Sequence, residues 1–542
     1  MLGIWGLAFA STVIAGPSPT VPDYFQTSWG PFAGGYATGR VPFLAETNPA
    51  LLSAQPTYVP NGPLVTDIPV PGKPDGASIF SNMANLAPYK PSTYGFGVDE
   101  HPLPSGSNIT QIHMVHRHGS RYPTGKPDVV DRIHGFIKNG TIFTGNLAFL
   151  NTWTYQLGEN LLTARGRQEL FDSGILHYYN YGRLYDPATH LIARTTTMAR
   201  MLESAEAFMY GFFGPKWTQN VTLEVAIDWL GFNNSLGGDQ MCTNAVNRTG
   251  MTGDSVTEQW ISIYLQDATR RFQRQSHGGT ANWTADDLSD VQSLCAYETS
   301  AFGYSPFCLL FTWDEWLGYE YNVDVEFYGN NGFGSAVGRA IGLGFVEEFV
   351  ARLMHHLPNP PDDSIAINTT LDGSKSTFPL NQTIYFDFSH ETEIFSMLTA
   401  LGLSQFGEYL PPTHIVKNRP AIVSEIVPFA GYFLFEIIKS PHPVLEKRPQ
   451  DSSQTSYDTS GRETTYVHML INQRTVPLGK SIPDCGKRDD GWCELHTFIK
   501  YQQQNIARAN YNASCFGNYS TLGYGNITDG AIPNSSIDDS EL

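Results

Sequence analysis

Two short stretches carry side chains suited to chemistry at phosphorus. Arg117-His118-Gly119-Ser120-Arg121 follows the run QIHMVH, and His390-Glu391 follows TIYFDF. Arginine grips phosphate oxygens in a fixed fork and stays charged at any working pH. Glycine lets backbone come close to an anion. A neutral imidazole can attack phosphorus and form a covalent intermediate. A protonated carboxyl can then pass its proton to the leaving alcohol. Together these residue types suit phosphoryl transfer. Both clusters stand just after a strand-like run, and in open α/β sheets ligands bind beyond the carboxyl ends of strands. The second cluster also opens a helix, whose free N–H groups favour anions. The two strand ends are therefore expected to converge on one phosphate.

The elements that must position them follow from periodicity. QIHMVH and Thr383 to Phe388 read as strands, and SHETEIFSMLTALGL reads as a helix with Ile394, Phe395, Leu398 and Leu401 on one face. Residues 154–180 and 195–213 read as helices, the second with Thr195 to Thr197 as candidate caps. LGFVEEFVARLMHHL at 343–357 reads as an amphipathic helix, and His355-His356 at its end suits the helix dipole. GFGSAVG at 332–338 does not fit a phosphate-cradling G-x-G-x-x-G and reads as a loop-to-helix junction. Strands alternating with helices predict an α/β sheet with covered faces. Residues 16–105, rich in Pro and Gly, form an extended N-terminal arm. Residues 106–213 and 341–515 form the body, and 214–340 an inserted, mainly helical lobe. Residues 516–542 form a disordered, glycosylated tail, and the Ser/Asp/Thr-rich stretch 450–464 is a surface loop.

The 542 residues carry a net charge of −19, with 41% apolar and 16% charged residues. That balance supports a large core and excludes disorder for most of the chain. It also disfavours nucleic acid or an anionic membrane as partner. No run reaches the length of a membrane span, and the C-terminal IPNSSIDDSEL lacks the hydrophobic tail of a lipid anchor. MLGIWGLAFASTVIAG reads as a secretory signal peptide cleaved near Ala15. Twelve N-x-[S/T] sequons, from Asn108 to Asn534, predict N-linked glycans. The six cysteines, an even number, can all pair in an oxidising compartment. They allow 15 connectivities, and spacing alone does not choose among these. His113 and His116 lie close to His118, but no carboxylate cluster accompanies them. They are read as strand-packing residues, and neither metal nor cofactor is expected.

RHGSRYPT resembles the RHGxRxP signature of the histidine acid phosphatase family, which includes secreted fungal phytases and acid phosphatases. LTARGRQEL at 162–170, RTTTMARMLESAEAF at 194–208, FTWDEWLGYEY at 311–321, GLGFVEEFVARL at 342–353 and FDFSHETEIFSMLTALGL at 386–403 resemble further family blocks in the same order. The resemblance covers most of residues 105–515. It implies a phosphoglycerate-mutase-like mixed sheet with helices on both faces. It implies His118 as nucleophile, Arg117, Arg121 and Arg194 as phosphate clamps, His390 as a further phosphate ligand and Glu391 as proton donor. It also implies the disulfides Cys242–Cys515, Cys295–Cys308 and Cys485–Cys493. One departure stands out: secreted phytases mostly carry His-Asp where this chain has His-Glu, one methylene longer.

The expected activity is hydrolysis of small phosphomonoesters, phytate included, by a secreted acid phosphatase without a metal. Two alternatives remain: a broad-specificity acid phosphatase with little action on phytate, and a catalytically silent glycoprotein that binds phosphorylated ligands. Near the first motif the chain offers one lysine, Lys126, with Asp128 and Asp131 close by. That is few cations for a polyanion.

Overall fold

The computed structural model describes residues 68–92, 94–358, 366–448 and 456–533. The expected signal peptide and most of the N-terminal arm lie outside the described residues. So do the last residues of the tail and part of the 450–464 stretch.

A mixed sheet organises the chain. Its strands are β1 (Asn108–Arg117), β2 (Leu191–Thr196), β3 (Val221–Ala226), β4 (Ile384–Ser389), β5 (Tyr432–Ser440), β6 (Thr464–Ile471), β7 (Arg474–Val476) and β8 (Cys493–Glu494). The order is β8-β6-β5-β1-β4-β2-β3, with β7 paired to β6. β1 runs parallel to β4, and β2 runs parallel to both β4 and β3. On the other side β5, β6 and β8 alternate antiparallel. β1 lies centrally and is buried from Ile112 to Arg117, as is all of β4. A strand covered on both faces reads as a continuous apolar run, which explains IHMV and IYFDF.

Alternate residues feed two cores. Met114 and Leu434 join a cluster with Leu170, Met201, Phe208 and Phe212, from helices α1 (Ala164–Tyr181) and α2 (Ala199–Phe213). Val115, Phe433 and Phe435 join the larger cluster on the opposite face. There the partners include Phe345 and Phe349, from α5 (Gly338–Leu353), and Phe498, from α7 (Leu495–Ile506). The same cluster runs on into α3 (Ala285–Phe302) and α4 (Trp313–Asn330) through Leu288 and Trp316. α3 and α4 thus share one apolar cluster with the sheet.

Several expected boundaries move. α1 begins at Ala164, where the Thr163 hydroxyl caps Gly166 N, and not at 154. The threonines at 195–197 are not a helix cap. Thr195 and Thr196 end β2, as β-branched residues favour extended backbone, and α2 starts at Ala199. α5 is buried on nearly every side rather than amphipathic, because it packs against the sheet through Phe345 and Phe349 and against both α6 (Glu391–Ala400) and α7. β3 belongs to the main sheet, so the insertion begins after it and not at residue 214. The described part of the tail is packed: Tyr519, Ile527 and Ile532 are buried, and the Arg339 guanidinium pairs with Asp529 at 2.7 Å.

All three expected disulfides are present, and no described cysteine is free. Cys242–Cys515 spans 273 residues, while Cys485–Cys493 spans 8. Loop-closure entropy grows with span, so the first stabilises by about 5 kcal/mol and the second by about half that. Replacing Cys242 and Cys515 by Ser should therefore lower the melting temperature more than replacing Cys485 and Cys493, as read by calorimetry.

Burial pushes the Glu320 carboxyl up to about 8 and that of Glu326 up to about 7. Such raised values mean that the folded state holds protons the unfolded chain releases. The stabilisation is full below the ordinary carboxyl range and is lost as pH rises through 7 to 8. Each group contributes on the order of 3 kcal/mol. Thermal stability should be highest in mild acid and fall towards about pH 8, and Glu326→Gln should flatten part of that slope.

Candidate active site

The register of the sheet brings the two motifs together. Arg117, the last residue of β1, lies opposite Ser389, the last of β4, so His118 and His390 leave adjacent parallel strands side by side. Their ring centroids are 5.9 Å apart. The loop before β5 closes the turn: Gly431 O accepts from Arg117 N, and Ala430 N donates to His118 O. Gly119 packs directly on the start of α1, where a Cβ would lie 2.2 Å from Gly166 O. No larger residue fits that approach. Ser120 is held through both its N–H (2.7 Å) and its hydroxyl (2.8 Å) by the buried Glu169.

Around this turn the charges are closely matched. The Arg117 guanidinium is fully buried; its Nε lies 3.0 Å from Glu391 Oε2 and its Nη2 lies 2.8 Å from Oε1. Its Nη1 donates to the carbonyls of Val427 (2.8 Å) and Asn85. Arg121 Nη2 lies 3.8 Å from Glu391 Oε1, and that guanidinium also donates a hydrogen bond to the Tyr297 hydroxyl oxygen of α3. His118 Nδ1 lies 2.9 Å from Gly119 O. A carbonyl only accepts, so Nδ1 carries the hydrogen and the Nε2 lone pair is free. That Nε2 lies 3.2 Å from Glu391 Oε2.

The electrostatics follow from burial and these contacts. Burial holds the His118 imidazole well below its ordinary range; Arg117 and Arg121 add to this, and Glu391 opposes it. The shift favours the neutral ring that an imidazole nucleophile requires. Burial alone would raise Glu391, but the charge of Arg117, with that of Arg121, outweighs it and keeps the carboxyl well below the usual range.

Arg194 is not at this turn. It stands inside β2, buried, with Nε 2.8 Å from Asp387 Oδ1 and Nη2 2.7 Å from Glu348 Oε2. Arg352 completes the group through Asp387 Oδ2 at 2.8 Å. A guanidinium so fully answered by carboxylates serves the packing of β2, β4 and α5. The cation at the site is Arg200, six residues on, whose Nη2 lies 3.4 Å from His390 Nδ1. Burial and the nearby Arg121 lower its pKa. A cation in the first turn of α2 opposes the helix dipole, a local oddity that marks it as placed for another purpose.

His390 also meets Asp228, with Nε2 2.9 Å from Oδ2. Behind it Asp239 and Glu393 bond to each other, and burial together with their mutual repulsion pushes Glu393 well up. Composition and periodicity pointed to none of Asn85, Tyr297 or Asp228, which come from the arm, the insertion and the residues after β3. His113 stacks on Tyr385 at 4.5 Å, and His116 reaches Ser173 at 2.7 Å, so both pack the strand. One ligand atom each of His118, His390 and Glu391 lie within 4.8 Å of one another, but Arg117, Arg121 and Arg200 surround them. That charge suits an anion and repels a metal cation.

The model of the "Histidine phosphatase superfamily (branch 2)" matches residues 108–472. "Phytase A" of Aspergillus oryzae is 30% identical over 451 residues, 79% of this chain and 89% of that protein. "Phytase A" of Aspergillus fumigatus is 32% identical over 416 residues, 73% of this chain and 83% of that protein. The crystal structure of the phytase from D. castellii superposes with a TM-score of 0.62 at 22% identity, covering 84% of this chain and 93% of that one. That likeness shows the fold. The chain belongs to branch 2 of the histidine phosphatase superfamily and is a phosphomonoester hydrolase.

Proposed function

We propose that the protein hydrolyses phosphomonoesters in two steps through His118, with phytate among its substrates. The observation that carries this is His118 Nδ1 turned to the Gly119 carbonyl, which leaves Nε2 facing Glu391, with Arg117 and Arg121 on that carboxylate and Arg200 on the neighbouring His390. A substrate phosphate takes the guanidinium charge now answered by Glu391. With that charge shared, the buried carboxyl gains a proton more readily. His118 Nε2 attacks phosphorus, forming the N–P bond as the P–O bond to the alcohol breaks. Glu391 gives its proton to the departing oxygen. Water then attacks phosphorus, Glu391 takes the water's proton, and the N–P bond breaks to release phosphate and His118. Arg117, Arg121, Arg200 and His390 hold the phosphate oxygens; Arg194 supports the sheet beneath them.

Phytate enters through the names of the two Aspergillus relatives. The broad-specificity reading has its own support: Lys126 is tied to Asp131 at 2.6 Å, and Asp228, Asp239 and Glu393 stand on the His390 side. Relative kcat/KM for phytate and an aryl phosphate separates the two. Release from the cell is supported by the three disulfides and by the eleven described sequons, none of whose asparagines is buried.

Acid quench of enzyme with labelled substrate should trap phosphate on His118, and His118→Ala should lose at least about a thousandfold in kcat. A trap that stays empty in an inactive wild type would instead leave a silent phospho-ligand binder. The two arginines should separate cleanly. Arg200→Met should raise KM for phosphate esters about ten- to a hundredfold with little change in melting temperature. Arg194→Met leaves buried carboxylates unanswered and should cost about 3–5 kcal/mol of stability.

A further inference from the structure

We infer that Asn85 is a positioning residue that decides which oxygen of Glu391 carries the proton; this rests on the reading of Glu391 as proton donor. Asn85 lies before the first family-matched residue, in a single 3-10 turn, Ala84–Leu86. Its side-chain amide donates to Glu391 Oε1 at 3.3 Å, and its backbone carbonyl accepts from Arg117 Nη1. One residue thus touches both the donor and the clamp that charges it.

The turn is held at some cost. Ala84, next to Asn85, has φ +50°, a left-handed conformation that a non-glycine residue adopts at about 1–3 kcal/mol. Bracing comes from all sides. Ala84 N donates to the buried Glu320 Oε2 at 2.7 Å, and Ser424 N donates to Glu320 Oε1 at 3.0 Å. Ala87 O accepts from Phe429 N at 2.9 Å, and Ser81 O accepts from the Ser424 hydroxyl at 2.9 Å. Backbone strain fixed from so many directions beside a reactive group is a sign of placement.

The chemistry follows from donor and acceptor roles. Arg117 donates to both carboxylate oxygens, Nη2 to Oε1 at 2.8 Å and Nε to Oε2 at 3.0 Å, so the Asn85 amide, aimed at Oε1 alone, gives that oxygen a second donor. The proton of a neutral Glu391 is then left to Oε2, the oxygen with fewer donors, which faces His118 Nε2 at 3.2 Å. A glutamate has one more side-chain torsion than an aspartate, and an uncharged amide restrains it without adding charge.

The test uses kcat/KM, which reports the steps up to the phosphoenzyme, for two leaving groups. Nitrophenolate departs with little help, whereas the alkoxide of glycerol 2-phosphate needs a proton. Asn85→Ala should lose about tenfold or more on glycerol 2-phosphate and less than about threefold on nitrophenyl phosphate. Asn85→Asp, of the same size but without the donor, should show the same bias, and it substitutes if Asn85→Ala folds poorly. Both side-chain variants leave the carbonyl contact to Arg117. Equal losses on both esters, or wild-type rates on both, would overturn the inference. Glu391→Gln is run alongside. If it discriminates between the esters and the Asn85 variants do not, only the role of Asn85 falls. If it is itself indifferent, the donor reading falls too.

Discussion

A guanidinium sealed from water must have its charge answered in place, and Arg117 sets that condition for the whole site. It is fully buried, and each direction it faces is met by a different part of the chain. Glu391 comes from the start of α6, the Asn85 carbonyl from the arm, and the Val427 carbonyl and the Phe429 ring, 4.7 Å away, from the loop before β5. Removing any one leaves part of a buried cation unpaired, which is costly. The same demand draws together segments more than 300 residues apart and gives the catalytic turn its walls.

The net charge of −19 describes the exterior and not the site. Arg117, Arg121 and Arg200 form a local cationic pocket in which Glu391 is the counter-ion. A second buried charge group sits further back along the strands: Arg194 and Arg352 against Asp387 and Glu348. It keeps β2 and β4 in register with α5, and so keeps the strand ends level. One arginine set holds the sheet and the other gathers around Glu391 and His390. Low dielectric makes both strong.

Much of the fold was legible because the central strands are covered on both faces. TIYFDF is a mostly apolar run and QIHMVH mixes Ile112, Met114 and Val115 with packing histidines, and each ends at a motif. The site was legible where contacts are local. His118 follows its strand, and Glu391 opens its helix. Arg194 against Arg200 was not legible, since both lie in one block and the difference is which way each side chain meets a carboxylate. α5 misled for a related reason: its Glu348 and Arg352 look like a solvent face and are instead an internal ion-pair partner set. The tail after residue 515 is polar and rich in sequons, yet Tyr519, Ile527 and Ile532 give it enough apolar area to dock.

By itself the sequence determined the chemistry on offer: a histidine between arginines after one strand, and a His-Glu pair after another. Residue type and local order suffice for that. Through the family resemblance it also indicated the cysteine pairing. The tertiary structure decided which cations stand at the strand ends with His118 and His390 and which are tied to carboxylates further back along the strands, as Arg194 is to Asp387 and Glu348. It also decided that Asn85, Tyr297 and Asp228 belong to the site. Each acts through contacts made only when distant segments pack, and no spacing within a segment records such contacts.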